Sequence, residues 1–340
     1  MPAKRFEAGG DLQLGKISID LLNKTVLRMT GARSRALLTG PRAGVDFAAI
    51  RVPSGYMIVS SDPVTGVAAG IGSYAVNVSA NDVATSGNRP QFIGSVVLLA
   101  EGSKEKDLKV IATDMDRAAK RLGITIVGGH TEVTPGLKRP IVAVTAFSFV
   151  KGFVSSEMAR EGDSILMTKT AGLEGTAVLA SELGHRGRRL PKALLARAKK
   201  LEGRISIVPE AARAFKTGQV HAMHDCTEGG VLGAAYEMSL ASGLGFELWE
   251  KNVPVAPETK AMCAALSLDP LKLIGSGSLL VAVPQKKKEA VVRAIRKVTR
   301  VAEVGKFTKT GRHLKGKDGR KQTLKSAPVD ELWDTLSRSV

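Results

Sequence analysis

The sequence is short of sulfur, of aromatic surface and of long apolar runs, and each shortage excludes something. Two cysteines, Cys226 and Cys263, occur in 340 residues, too few for a disulfide framework or a four-cysteine structural zinc site. Aromatic side chains make up 4%, which weighs against a single-strand nucleic-acid binder built on stacking platforms. The longest strongly apolar uncharged stretch, Pro140 to Val150, is far too short to span a bilayer. Met1 to Gly15 mixes charge with glycine and lacks the apolar run of a secretory signal, so a cytoplasmic protein without membrane association is expected. No G-x-x-x-x-G-K-[ST] loop and no convincing G-x-G-x-x-G occurs, which removes the P-loop and Rossmann readings.

What is present is the composition of a folded globular protein, 44% hydrophobic and 24% charged. The length suits two domains of ordinary size. Lys and Arg number 50 against 32 Asp and Glu, a formal net charge of +18, and a basic surface attracts phosphate whatever the fold. Much of that charge lies between Lys286 and Lys325, opposed by Glu289, Glu303 and Asp318. A solvated basic face and a strip for RNA or an acidic partner are both open readings.

Lys16 to Met29 carries the apolar stripe of an amphipathic helix at Ile19, Leu22, Val26 and Met29. Ala48–Val52 and Tyr56–Ser60 are β-rich runs around the turn Pro53-Ser54-Gly55. Helices are predicted over Gly70–Ser86 and Ser103–Leu122, and strands over Ile124–Val127 and Pro140–Val150, the last two flanking a glycine-rich loop. The pattern predicts an α+β fold with a mainly antiparallel sheet and helices on one side. The polar stretch Lys151–Gly162 places a boundary that gives domains of residues 1–155 and 156–340. The second reads as strands at Ser164–Thr168, Val220–Met223, Phe246–Trp249 and Ser278–Val283. Helices are predicted over Glu174–Leu183, Ala193–Glu202, Pro209–Thr217, Gly230–Ala241 and Lys286–Val298.

Three acidic residues stand in small-residue settings: Asp46 after Gly44, Asp62 at the end of an apolar run, and Asp82 on an Ala/Val/Ser helix. Asn77 and Asn81 lie one turn apart on that helix and share a face. Hard oxygen ligands converging from separate segments are what Mg²⁺ requires, with phosphate completing the shell, and a Gly-rich turn lets backbone N–H groups approach phosphate. Lys16 and Arg42 add charge. The plain alternatives are a turn residue at Asp62 and a capping role for Asp82. Gly128-Gly129-His130-Thr131-Glu132 presents His130 and Glu132 from a glycine turn, or from a simple hairpin loop. His224-Asp225-Cys226-Thr227-Glu228-Gly229-Gly230 is a strand-to-helix turn opening a helix where anions are favoured. Asp225 or Thr227 is alternatively its N-cap, and Cys226 is either a thiol nucleophile beside His224 or a small buried residue.

Taken in order, these segments resemble the superfamily of aminoimidazole ribonucleotide (AIR) synthase, selenophosphate synthetase, thiamine-phosphate kinase and HypE, and most of all HypE and the AIR-synthase-related proteins. Gly44–Ile50 resembles G-x-D-A-A-V and Ser61-Asp62 the strand-end Asp. Asn77–Pro90 resembles the stretch N-D-[LV]-A-x-x-G-x-x-P, Gly128–Glu132 resembles G-G-[DE]-T, Met223–Gly230 resembles M-x-D-P-T-R-G-G, and Asp269-Pro270-Leu271 begins the late D-P-L segment. The resemblance implies a PurM-like fold: an N-terminal α+β domain that dimerises through its antiparallel sheet, and a C-terminal α/β domain closing over a cleft. It implies Mg-ATP in that cleft, with Asp46, Asp62, Asp82 and Glu132 as metal ligands. Lys16, Gly44, Asp46, Asn77, Asn81, Gly128, Gly129 and Thr131 would surround the nucleotide, and Asp62, Asp82 and Asp225 would be catalytic. The implied activity is ATP-dependent phosphorylation of a carbonyl, amide or related acceptor oxygen in hydrogenase or metallocofactor maturation, by a homodimer working with a protein partner. The alternative is a non-catalytic nucleotide-binding or RNA-associated scaffold. Three departures leave the acceptor unassigned: His130 stands at the acid of G-G-[DE]-T, Ser276 at the Glu of a late N-E-G turn, and Ser337-Arg338-Ser339-Val340 where HypE carries a terminal cysteine.

Overall fold

The structure, a computed structural model, describes residues 16–65, 70–182 and 190–337; Met1–Gly15 and residues 338–340 lie outside them. In the first half, β1 (Leu37–Thr39), β2 (Ala48–Val52), β3 (Gly55–Val64), β4 (Phe92–Ala100), β5 (Thr125–Thr134) and β6 (Ile141–Val150) form one sheet in the order β1-β2-β3-β6-β4-β5. Neighbours pair antiparallel except β4 and β5, which are parallel because α3 (Glu105–Leu122) crosses over between them. With α3, the helix α2 (Ile71–Thr85) covers one face of the sheet. The Lys16–Met29 stripe yields a shorter helix, α1 (Ile19–Lys24), and a single 3₁₀ turn at Val26–Arg28. Val26 and Met29 stay 62% and 65% exposed, so the stripe lacks the packing that would extend it.

β3 continues through Asp62 and Pro63 to Val64, four residues beyond the run legible in the sequence. Pro63 is tolerated because β2 pairing stops at Val59 and leaves β3 with one partner, β6. Alternation puts Ile58, Ser60 and Asp62 on the helix-covered face. The opposite face is open, with Phe92, Phe147 and Phe149 in a chain of ring contacts and Val96 exposed beside them. The glycine turn expected at Gly128-Gly129 is instead the interior of β5. A Cβ at Gly129 would collide with Ser95 O on β4, so the glycines serve close strand approach at a register shift.

In the second half, β7 (Asp163–Thr168), β8 (Ala222–Asp225), β9 (Gly245–Trp249), β10 (Leu279–Pro284), β11 (Val301–Thr308), β12 (Arg312–Lys315) and β13 (Lys321–Thr323) form a second sheet. Its order is β13-β12-β9-β11-β7-β10-β8. It packs with α4 (Leu173–Glu182), α5 (Lys192–Lys199), α6 (Val208–Phe215), α7 (Gly230–Ser242), α8 (Pro257–Leu266), α9 (Lys288–Arg296) and α10 (Glu331–Ser337). Among the described residues no helix is long and apolar enough to cross a membrane.

Helix α2 joins the two halves. Nearly all its side chains are buried, and it packs on β3, β6 and α3 from one half and on α6 and β8 from the other. Its apolar residues belong to one core with Leu166, Val208 and Ala211. The basic stretch folds as α9, the central strand β11 and the strands β12 and β13 at one edge of the sheet, where the lysines of β13 discourage further strand addition. Several of its charges are already paired: Lys288 with Glu303 at 2.6 Å, Lys317 with Glu250 at 3.2 Å and Lys321 with Glu247 at 2.5 Å. Arg312 lies 4.8 Å over the Tyr236 ring and donates to Ser239 Oγ at 2.7 Å.

Candidate active site

Four backbone segments end around one set of carboxylates. The last turn of α2 supplies Asp82, the far half of β3 supplies Asp62, the turn before β2 supplies Asp46, and the end of β8 supplies His224 and Asp225. Ser60 Oγ donates to Asp82 Oδ2 at 2.7 Å and lies 3.3 Å from Asp62 Oδ2. Asp46, His224 and Asp225 offer ligand atoms all within 4.8 Å of one another.

The electrostatics follow from this crowding. Burial, and then the neighbouring Asp62, push the Asp82 carboxyl well above the usual range. Burial and Asp46 do the same to Asp225. Asp46 rises to about 6, again through burial, with His224 opposing the rise. Burial alone would strip the proton from His224, but the Asp46 and Glu237 carboxylates outweigh it and raise the imidazole to about 10. Glu237 is held down to about 2 despite burial, by Lys16 and His224. The pairing distances are 3.1 Å from His224 Nε2 to Asp46 Oδ1, 3.3 Å from His224 Nε2 to Glu237 Oε2, and 2.6 Å from Lys16 Nζ to Glu237 Oε1.

Even so, Asp46 Oδ2 and both Asp225 oxygens are buried without a hydrogen-bond partner. Buried charge without a partner is costly, and a divalent cation is the group whose charge and ligand preference match this donor set.

Other sequence-selected residues have different occupations. Asn81 is fully buried: its Nδ2 donates to Ile205 O at 2.8 Å and its Oδ1 accepts from Ile207 N at 2.9 Å. Both ends of the amide are thus used to hold the loop before α6, which corrects its reading as a cofactor contact. Asn77 donates back to Ser73 O on its own helix at 2.8 Å. Gly44 has φ of 80°; a Cβ there would collide with Glu237 O, and its carbonyl accepts from Ser156 Oγ. The close approach of α7 requires glycine at this position. Lys16 is spent on Glu237, and its backbone N–H on Glu228 at 2.9 Å. Arg42 pairs with Glu157.

Gly128, Gly129, Thr131 and Glu132 lie on β5, separated from β3 by β6 and β4. Three strand spacings make that about 14 Å. Glu132 pairs in register with Leu98 on the open side of the sheet, opposite the face that carries Asp62. It is therefore not a ligand to the carboxylate cluster of its own chain. Its carboxylate is held by His130 Nε2 at 3.0 Å and by Thr134 Oγ1 at 2.8 Å.

At the start of α7, neither Asp225 nor Thr227 caps; the N-cap is Gly229. The Gly229 N–H that would greet an anion already donates to Asp330 Oδ2 at 2.8 Å. Cys226 is fully buried and its thiol is raised by burial and by Asp225, so it is a core residue. Glu237 escaped sequence reasoning altogether. The available signal was a carboxylate in the middle of the otherwise apolar run Val231–Leu240.

Comparison with known proteins identifies the lineage. The AIR synthase related protein N-terminal domain matches residues 44–150 and the corresponding C-terminal domain residues 160–314. The chain belongs to the AIR synthase related family. Carbamoyl dehydratase HypE of Bradyrhizobium diazoefficiens is 30% identical over 264 residues, 74% of each chain. That of Cupriavidus necator is 31% identical over 290 residues, 80% of this chain and 79% of that one. Escherichia coli HypE, a hydrogenase maturation protein, shares the fold with a TM-score of 0.71 at 24% identity, covering 92% of this chain and 99% of that one. A HypE structure in complex with ATP gives 0.71 at 22%, covering 94% and 98%. A ThiL complexed with AMPPCP and TMP gives 0.70 at 20%, covering 91% and 95%.

As a member of the AIR synthase related family, the chain departs from the resemblance at two places that the structure describes. His130 is exposed on the open sheet face and bound to Glu132. Ser276, buried to 1%, hydrogen bonds to Glu174, whose carboxyl is raised by burial to about 7.

Proposed function

We propose that this AIR synthase related chain uses Mg-ATP to phosphorylate a carbonyl or amide oxygen of an acceptor, the activation that lets a carbamoyl group lose water, in hydrogenase maturation. The observation that carries the reading is the meeting of Asp46, Asp62, Asp82 and Asp225, with buried oxygens left over for a cation. The carbamoyl dehydratase relatives and the ATP-bound HypE of the same fold support it. A bound Mg²⁺ would neutralise charge on the transferring phosphoryl group. Asp46, Asp62 and Asp82 would hold it, with Asp225 behind them. Ser60 fixes the spacing of Asp62 and Asp82, and Lys16 keeps Glu237 ionised at the edge of the cluster. Both cysteines are buried, so the acceptor group is brought to the site by something other than Cys226 or Cys263.

The reading includes a cytoplasmic homodimer. The open sheet face with Phe92, Phe147, Phe149 and Val96 is the kind of apolar surface that a second copy covers, and Glu132 reaches a metal only in such an assembly. A HypE–HypF complex of the same fold supports a protein partner. Ion pairs at Lys288, Lys317 and Lys321 use part of the basic charge that the RNA-scaffold alternative would need.

Asp62→Asn and Asp82→Asn should each weaken Mg-dependent ATP binding by about tenfold or more, on the order of 1.4 kcal/mol. Unchanged affinity in both variants rejects the site. Phosphate release from ATP driven by an amide acceptor excludes the scaffold alternative.

A further inference from the structure

One face of the basic stretch is left unspent by the fold. Helix α9 buries Val291, Val292 and Ile295. At 100° per residue its opposite side carries Arg293 and Lys297, with Arg296 on the flank. Lys286 and Lys287, in the turn before the helix, and Arg300 after it extend the strip. All six cations are exposed, and Glu289 is the acid among them. Among the described residues none of the six enters an ion pair. The elements packed against α9, which are α6, β10 and β11, do not neutralise it. Strand β10 has no charged residue. The acid of β11, Glu303, holds Lys288 at 2.6 Å, and Glu210 of α6 is buried against Lys169. The exposed charges of α6 and its end, Arg213 and Lys216, are basic as well.

The chemistry of the strip selects its partner. A protein interface is built around an apolar centre, and from Lys286 to Arg300 the one exposed large apolar side chain is Val298, at 42%. No aromatic residue lies in that segment, so unpaired bases have no platform to stack on. What remains is fixed positive charge, with arginines whose planar fork matches phosphate oxygens. From Lys286 to Lys297 the strip runs about 16 Å at helical rise, a length over which a nucleic-acid duplex carries about nine phosphate charges. We propose that the outer face of α9 binds the phosphate backbone of a double-stranded nucleic acid without reading its bases. The surface shares no residue with the carboxylate site, so it stands or falls apart from the Mg-ATP reading.

The test is fluorescence anisotropy of the full chain with labelled RNA and DNA duplexes of about two helical turns. Both duplexes should bind. With about six phosphates engaged, log affinity should fall against log salt with a slope of about −5, about a thousandfold between about 50 and about 200 mM. The triple change Arg293→Glu, Arg296→Glu, Lys297→Glu touches exposed positions and should weaken binding at least tenfold. The same loss of charge on the outer side of α3, by Lys106→Glu, Lys109→Glu, Arg117→Glu, should weaken it less than threefold. Equal losses in the two triples mean attraction by net charge alone and overturn the proposal. In the unaltered chain, no duplex binding at about 50 mM salt, or a slope shallower than about −2, also overturns it. So does polyglutamate binding as tightly as the duplexes, which would make the partner an acidic protein. These last outcomes need no variant to fold.

Discussion

Removing the Asn81 side chain separates a structural role from a ligand role. In Asn81→Ala, Ile205 O and Ile207 N lose the partners now at 2.8 and 2.9 Å. Both lie in a loop packed against the fully buried face of α2. A stranded buried backbone group costs about 1–3 kcal/mol, so two of them together cost about 4 kcal/mol, less whatever an entering water recovers. That is a large share of the stability of a typical domain. The assay is urea unfolding followed by circular dichroism, with the midpoint expected to fall clearly. ATP affinity, measured below the new transition, should stay within about threefold, or about 0.7 kcal/mol, because the side chain is fully buried and faces the loop it holds. A stability loss under about 1 kcal/mol, or a tenfold loss of ATP affinity in a fully folded sample, refutes the reasoning.

Two further outcomes follow from the fold. Burial pushes Asp330 up to about 7, with the N–H groups of Leu332 and Gly229 opposing the rise. Its folded value therefore lies above the ordinary 3.8, so its contribution is fully present below about pH 4 and is lost as pH rises through 7. The loss at high pH is about 4 kcal/mol at most. Asp330→Asn keeps one of the two acceptors now used by Gly229 and Leu332, so its urea midpoint relative to the unaltered chain should be more favourable at about pH 8 than at about pH 5, and an equal difference at both is the disproof. On the open sheet face, Phe149→Glu should convert a homodimer to monomers in sedimentation velocity without unfolding them; a dimer that survives it is held elsewhere.

Where the sequence was readable, the reasons are local. The spacing of Ile111, Met115 and Ala118 marks α3, and alternation marks β6. The three aspartates drew attention because small neighbours give a carboxylate nothing to pack for. What escaped depended on distance along the chain. Asn81 looks like a ligand until the loop 124 residues later is seen to claim it. Gly128-Gly129 reads as a turn until Ser95 O is found pressed against Gly129. The strands β12 and β13 are masked by lysines and arginines that suit an exposed sheet edge. His224 was visible, but its pairing with Asp46 and Glu237 joins the first half of the chain to the second, a relation that no periodicity encodes.

Glu237 links mechanical position to charge. Its backbone oxygen is the surface against which Gly44 is seated, two residues from Asp46, and its side chain grips both Lys16 and His224. A slide or roll of α7 thus moves the loop of Asp46 and changes the counter-charges around it in a single stroke.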